Sequence, residues 1–102
     1  MVIVWTRLAL ITYKEVLGNL HLRWTKNEMK NFTVLTNELL EKIKNLQIVC
    51  PFANKRLGIQ KGYIHKNVSL FYKEDKKTNT IYLITFFHNR MNPKELNKLL
   101  TK

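Results

Sequence analysis

A chain of 102 residues is long enough for one modest hydrophobic core, and its 45% apolar and 11% aromatic content sets it apart from disordered compositions. The single cysteine, Cys50, excludes a disulfide framework within the chain and points to a reducing compartment, the cytoplasm. Eighteen Lys and Arg against seven Asp and Glu give a formal charge of +11; such a charge favours a polyanion or an acidic protein as partner, through steering and counterion release, over a surface that is basic only for solubility.

The opening run "MVIVWTRLALITYKEVLG" has no basic leader and no small-residue cleavage site, and Arg7 and Lys14-Glu15 interrupt it. Neither a signal peptide nor a membrane span is expected there. Val2, Ile3 and Val4 suit a short first strand. Thr6 then caps a helix, its hydroxyl accepting a backbone N–H that the first turn leaves unpaired. Ala9, Tyr13, Val16, Leu17 and Leu20 recur at helical spacing. Gly18 costs roughly 1 kcal/mol relative to Ala in that helix and is a candidate kink.

"TKNE", Thr25 to Glu28, has capping-box spacing and announces a second helix. Met29, Phe32, Thr36, Leu39, Ile43 and Leu46 follow at steps of three and four, reinforced by Leu35 and Leu40. Pro51 forbids continuation. A short connection near Arg23-Trp24 makes the pair an αα-hairpin.

After Pro51 the period changes. "NKRLGIQKGYIHKNVSLFYKE" and "TIYLITFFHN" are rich in β-branched and aromatic residues, and Val68, Leu70 and Tyr72 alternate with Ser69, Phe71 and Lys73. "EDKKTN" reads as a polar hairpin connection. Met91 to Leu100 is expected to form a short terminal helix, with Asn92 as cap and Pro93 at its first position. The order predicts one α+β domain over residues 1–102. It has a short first strand, an αα-hairpin, an antiparallel three-strand meander and a short C-terminal helix. The helices pack on one face of the sheet and the other face stays open.

These elements, in this order, resemble the toxin subunits of the RelE/ParE superfamily of bacterial type II toxin–antitoxin modules, in particular the plasmid-stabilisation-protein branch. The resemblance rests on "VIVWTRLA", "RWTKNEMKNF", "VSLFYK" and "IYLITFFHNRMNPKEL" and spans nearly the whole chain. It implies a compact sheet with helices and a concave open face. It also implies an antitoxin whose acidic, disordered segment wraps the toxin, and one of two targets. RelE-like members cut messenger RNA on the ribosome without a metal; ParE-like members poison DNA gyrase. A degenerate toxin that only binds its antitoxin is a third reading.

Metal-independent RNA cleavage needs a proton mover and a phosphate holder. Histidine titrates near neutrality, and arginine offers a permanent two-pronged donor. His88 and Arg90, two apart at a strand end, are the candidates, with plainer roles as a turn-bonded strand end and a salt bridge to Glu95. Tyr72 matches the strand tyrosine common in the family, and is better explained as a core aromatic with a wet hydroxyl than as a catalytic group. Lys55, Arg56, Lys61 and Lys66 suit a phosphate backbone or simply a solvated basic face. His65 could join them. Ribonuclease members often carry a basic residue three positions before the strand tyrosine, where this chain has Ser69, a difference that shifts weight toward the gyrase reading. His88 and Arg90 at the sheet end and the charge of +11 suit ribosomal RNA and keep the ribosome-dependent mRNA endonuclease as the leading expectation. Cys50 and the three histidines show no ligand spacing, so neither metal nor cofactor is expected.

Overall fold

The computed structural model describes residues 1–21, 25–65 and 67–88. Its elements run β1 (Val2–Trp5), α1 (Arg7–His21), α2 (Lys26–Lys44), β2 (Phe52–Asn54), β3 (Ile59–His65), β4 (Val68–Asp75) and β5 (Thr80–His88). The fold is α+β, with two helices against a five-stranded mixed sheet of order β1-β5-β4-β3-β2. Two details depart from the expected layout. The meander has four strands, because the three-residue β2 pairs antiparallel with β3. The first strand joins the sheet in parallel, Val2 to Trp5 lying beside Thr80 to Leu83. A parallel neighbour requires a long crossover, which α1, α2 and the meander supply. The terminal helix expected over Met91 to Leu100 lies outside the described residues.

Thr6 joins β1 to α1. Its hydroxyl accepts from the Ala9 N–H at 3.1 Å and donates to the Leu83 carbonyl at 2.6 Å, so the helix cap is also a tether to β5. The helix continues through Gly18 without a break. Thr25 caps α2, accepting from the Glu28 N–H at 3.2 Å. The far end of α2 stops at Lys44, well before Pro51. There the Gln47 N–H reaches the Lys42 carbonyl and the Leu46 N–H reaches that of Ile43, with Leu46 left-handed at φ 58°. This is a Schellman stop built on a leucine where glycine is the usual choice. Leu46 therefore leaves the helical seam and is exposed, as is Leu35.

Both helices pack on one face of the sheet. Ala9 and Val16 of α1 and Phe32, Leu39, Leu40 and Ile43 of α2 meet Ile64, Val68, Leu70, Tyr72, Ile81, Leu83 and Phe86 in one core. Each large apolar side chain fully buried there contributes about 1.5–3 kcal/mol. Trp5, Tyr13, Phe32 and Phe86 form an aromatic cluster with ring centroids 5.0–5.6 Å apart, which fixes α1 between β5 and α2. The opposite, or far, face is not uniformly open. Ile59, Ser69, Phe71 and Thr85 point that way by register, yet all four are buried.

β5 carries a bulge. Phe71 opposes Thr85 and Tyr72 opposes Leu83, leaving Ile84 as the extra residue. The Phe86 N–H beyond it donates to the Thr12 hydroxyl of α1 at 2.9 Å, and Thr12 in turn donates to the Leu8 carbonyl at 2.8 Å. A buried threonine on a helix thus satisfies an amide that the bulge turns out of the ladder.

Candidate nucleic-acid interface

His88 ends β5 opposite Val68. That register turns it toward the helix-covered face, and only 5% of it is exposed. Tyr72 lies on the same face, buried in the core beside Leu83. Burial first, and the Cys50 thiol second, hold its phenol pKa above the ordinary value of 10; the Cys50 main chain pulls weakly the other way. Four residues of β4 separate Tyr72 from the Val68 position that faces His88, roughly 13 Å of strand. The two side chains therefore belong to different places in the core. Arg90 and Lys66 lie outside the described residues.

His65 is half-buried at the end of β3, its Nδ1 accepting from the Asn67 N–H at 3.4 Å, the turn-bonded role of a strand-end histidine. Ser69 is buried on the far face, three residues and one face removed from Tyr72. Lys61 points to that same face. Its Nζ sits 4.9 Å from the Tyr63 ring centroid and 5.7 Å from that of Phe71, a cation–π arrangement that keeps the ammonium beside exposed aromatic surface.

Lys55 and Arg56 lie on the β2–β3 turn rather than on a strand, both exposed. The Asn54 side chain accepts from the Leu57 N–H, the Lys55 carbonyl accepts from the Gly58 N–H, and Gly58 takes φ 73°. A glycine suits that left-handed conformation, and its Cβ position lies 3.7 Å from the Lys73 side chain, an ordinary contact distance. That proximity brings the turn to the β4–β5 hairpin. Lys73, Lys76 and Lys77 surround Tyr82 in a shallow concavity of about 580 Å³, with Glu74 and Asp75 on its wall. The Asp75 carboxylate accepts from the Lys77 N–H at 3.0 Å and so is committed to the turn.

Five cations from two turns and one strand thus lie at one end of the sheet, and three of them, Lys73, Lys76 and Lys77, line a concavity with Tyr82, which is 37% exposed. Exposed rings flanked by ammonium groups suit a single-stranded nucleic acid, whose bases stack while its phosphates meet the cations. Lys55 and Arg56 were legible in the sequence; Lys73, Lys76, Lys77 and Tyr82 were not. The signal for them was the pairing of two hairpin connections at one sheet end, which needs the topology. This basic end lies roughly 17 Å of strand from the His88 position, counting from Lys73 to Val68 along β4.

Among the described residues no three His, Cys, Asp or Glu side chains group to hold a metal ion, and no described helix is long and apolar enough to cross a membrane. No family model matches the chain, and no curated protein matches it significantly.

Proposed function

We propose that this chain is a cytoplasmic, growth-inhibiting toxin of the RelE/ParE kind, held inactive by an acidic antitoxin and acting on messenger RNA at the ribosome. One observation carries the nucleic-acid part of the reading: Lys73, Lys76 and Lys77 line one concavity with Tyr82, at the sheet end where the β2–β3 turn with Lys55 and Arg56 also lies beside Lys73. The α+β layer pair and the charge of +11 also suit the reading. In the cleaving form of the proposal, Arg90 and a basic strand residue hold the scissile phosphate and His88 moves a proton, which requires His88 to become accessible when the ribosome binds. The terminal helix belongs to the same proposal.

The second reading is a non-enzymatic poison of DNA gyrase. It is favoured by the burial of His88 and Tyr72 and by their separation, because a binding poison needs contact surface and no assembled acid–base pair. Inducing the chain alone in bacteria, with protein and DNA synthesis followed by pulse labelling, separates the two. Arrest of protein synthesis ahead of DNA synthesis supports the ribosomal target; the reverse order supports gyrase. Unimpaired growth overturns both.

A further inference from the structure

The two edges of the sheet are built differently. β2 pairs irregularly with β3 and runs directly into Lys55 and Arg56. Irregular pairing and charged side chains are devices that keep an edge strand from pairing with another chain. β1, at the other edge, consists of Val2, Ile3, Val4 and Trp5. It contains no charged side chain and no proline, and it runs beside β5 without a shift of register. All four residues are β-branched or aromatic, the types that pair most readily as strands. Val2 is 60% exposed and Val4 37%.

The hydrogen bonds of β1 show which of its groups look outward. The Val2 N–H donates to the Asn79 carbonyl at 3.0 Å and the Thr6 N–H to the Leu83 carbonyl at 3.3 Å. Alternate residues of a strand serve one neighbour, so the N–H and C=O of Ile3 and Trp5 face away from β5. Beside that edge, β1 shares a shallow hollow of about 450 Å³ with Asn37, Leu40, Glu41 and Lys44 of α2. Glu41 and Lys44 are the charged side chains of its lining, one helical turn apart, both exposed and opposite in sign.

Such an edge fits a copy of itself. About a two-fold axis, residue i meets j and j meets i, and the two strands run antiparallel. With Val4 at the axis, Ile3 lies opposite the partner's Trp5 and Trp5 opposite the partner's Ile3, so the outward groups of both strands pair. Where the axis passes between Glu41 and Lys44, each meets the other's counterpart, and one pair of residues makes two ion pairs. A partner of a single charge sign gains at one of these side chains and loses at the other; a second copy gains at both. We infer that this protein forms a two-fold dimer through antiparallel pairing of β1 with β1, joining two five-stranded sheets into one, with Glu41 and Lys44 exchanged across the axis. The inference is independent of the toxin reading, because it uses neither the basic end around Tyr82 nor His88.

The test is sedimentation equilibrium of the purified full chain over a range of protein and salt concentrations. A reversible dimer is expected, and it should tighten as salt rises, because the charge of +11 on each copy opposes association and is screened. Val4→Lys sets two ammonium groups together at the axis and is expected to weaken the dimer about tenfold or more. Its thermal melt reports whether it folds, and Val2→Lys, at the more exposed position, is the second variant. Glu41→Lys and Lys44→Glu are each expected to weaken the dimer about tenfold, and the double exchange, which leaves the net charge unchanged, to restore it. A chain that stays monomeric to millimolar concentration overturns the inference and leaves the edge to a strand of another protein. A dimer that folded lysine variants of β1 leave intact overturns it too, since the contact then lies elsewhere. A dimer that loosens as salt rises is held by charge, which refutes the strand pairing. Failure of the double exchange to restore the dimer refutes the reciprocal pairing of Glu41 with Lys44.

Discussion

The basic sheet end makes a quantitative prediction about salt. If Lys55, Arg56, Lys73, Lys76 and Lys77 each neutralise one phosphate of a single strand, log affinity falls with log salt with a slope of about −3.5, since each contact contributes about −0.7. Raising salt fourfold then weakens binding about 100-fold; in the triple variant Lys73→Gln/Lys76→Gln/Lys77→Gln two contacts remain, the slope is about −1.4 and the loss about sevenfold. Tyr82→Ala acts differently. It removes a stacking surface, with an expected loss of about 5- to 150-fold at every salt concentration and no change in slope, corresponding to about 1–3 kcal/mol per stacked base. Tyr82→Phe retains the ring and the affinity. Fluorescence anisotropy of a labelled oligoribonucleotide over a salt series measures both quantities. An unchanged slope in the triple variant, with the melt intact, refutes the assignment of these lysines to phosphates. A slope change in Tyr82→Ala refutes the division of labour between ring and cations.

Other consequences follow from single residues. Thr12→Val leaves the buried Phe86 N–H without its acceptor and is expected to cost about 1–3 kcal/mol in a urea melt, with Thr12→Ser milder and Phe86 amide exchange accelerated only in the valine variant. Gly18→Ala meets open space on an exposed helix face and should stabilise by about 0.5–1 kcal/mol by the same melt. Leu46→Gly relieves the left-handed leucine at the end of α2 and should raise stability by about 1 kcal/mol in the same melt. The raised pKa of Tyr72 means that the folded state holds the phenol proton more tightly than the unfolded chain does. Its contribution is complete below the unfolded value near 10 and is lost as pH rises toward the folded value. Stability should thus decline above pH 10 in the parent more steeply than in Tyr72→Phe.

Much of the fold was readable because its determinants are local. Thr6 and Thr25 cap helices with their own hydroxyls, and Phe32, Thr36, Leu39 and Ile43 mark the buried face of α2 by spacing alone. The "EDKKTN" connection closes through the Asp75 side chain and a left-handed Asn79, both residue types that favour turns. What escaped is set at a distance. β2 has three residues, two of them exposed, and exists because Phe52 and Asn54 find β3. The parallel pairing of β1 with β5 joins residues nearly eighty apart, which no local pattern records. Leu46 fitted the helical period but falls beyond the Schellman stop, whose hydrogen bonds come from the backbone and carry no side-chain signature.

The same argument decides the orientation of His88. Counting in twos from Ile81 and Leu83, both in the core, puts Thr85 and Phe87 inward and sends Phe86 and His88 outward. The bulge at Ile84 reverses that count: Phe86 is fully buried against α1, and His88, two residues on, faces the same way. One residue of slip thus moves the imidazole from an exposed far face to the helix-covered one. The slip is sustained by Thr12, whose hydroxyl takes the Phe86 amide that an unbulged ladder would have paired within the sheet. A threonine at the sixth place of α1 would ordinarily pass as a polar neighbour of Ala9 and Val16. Here it determines which face of the sheet a residue seventy-six positions later presents, and hence whether His88 can meet a phosphate without the core opening first.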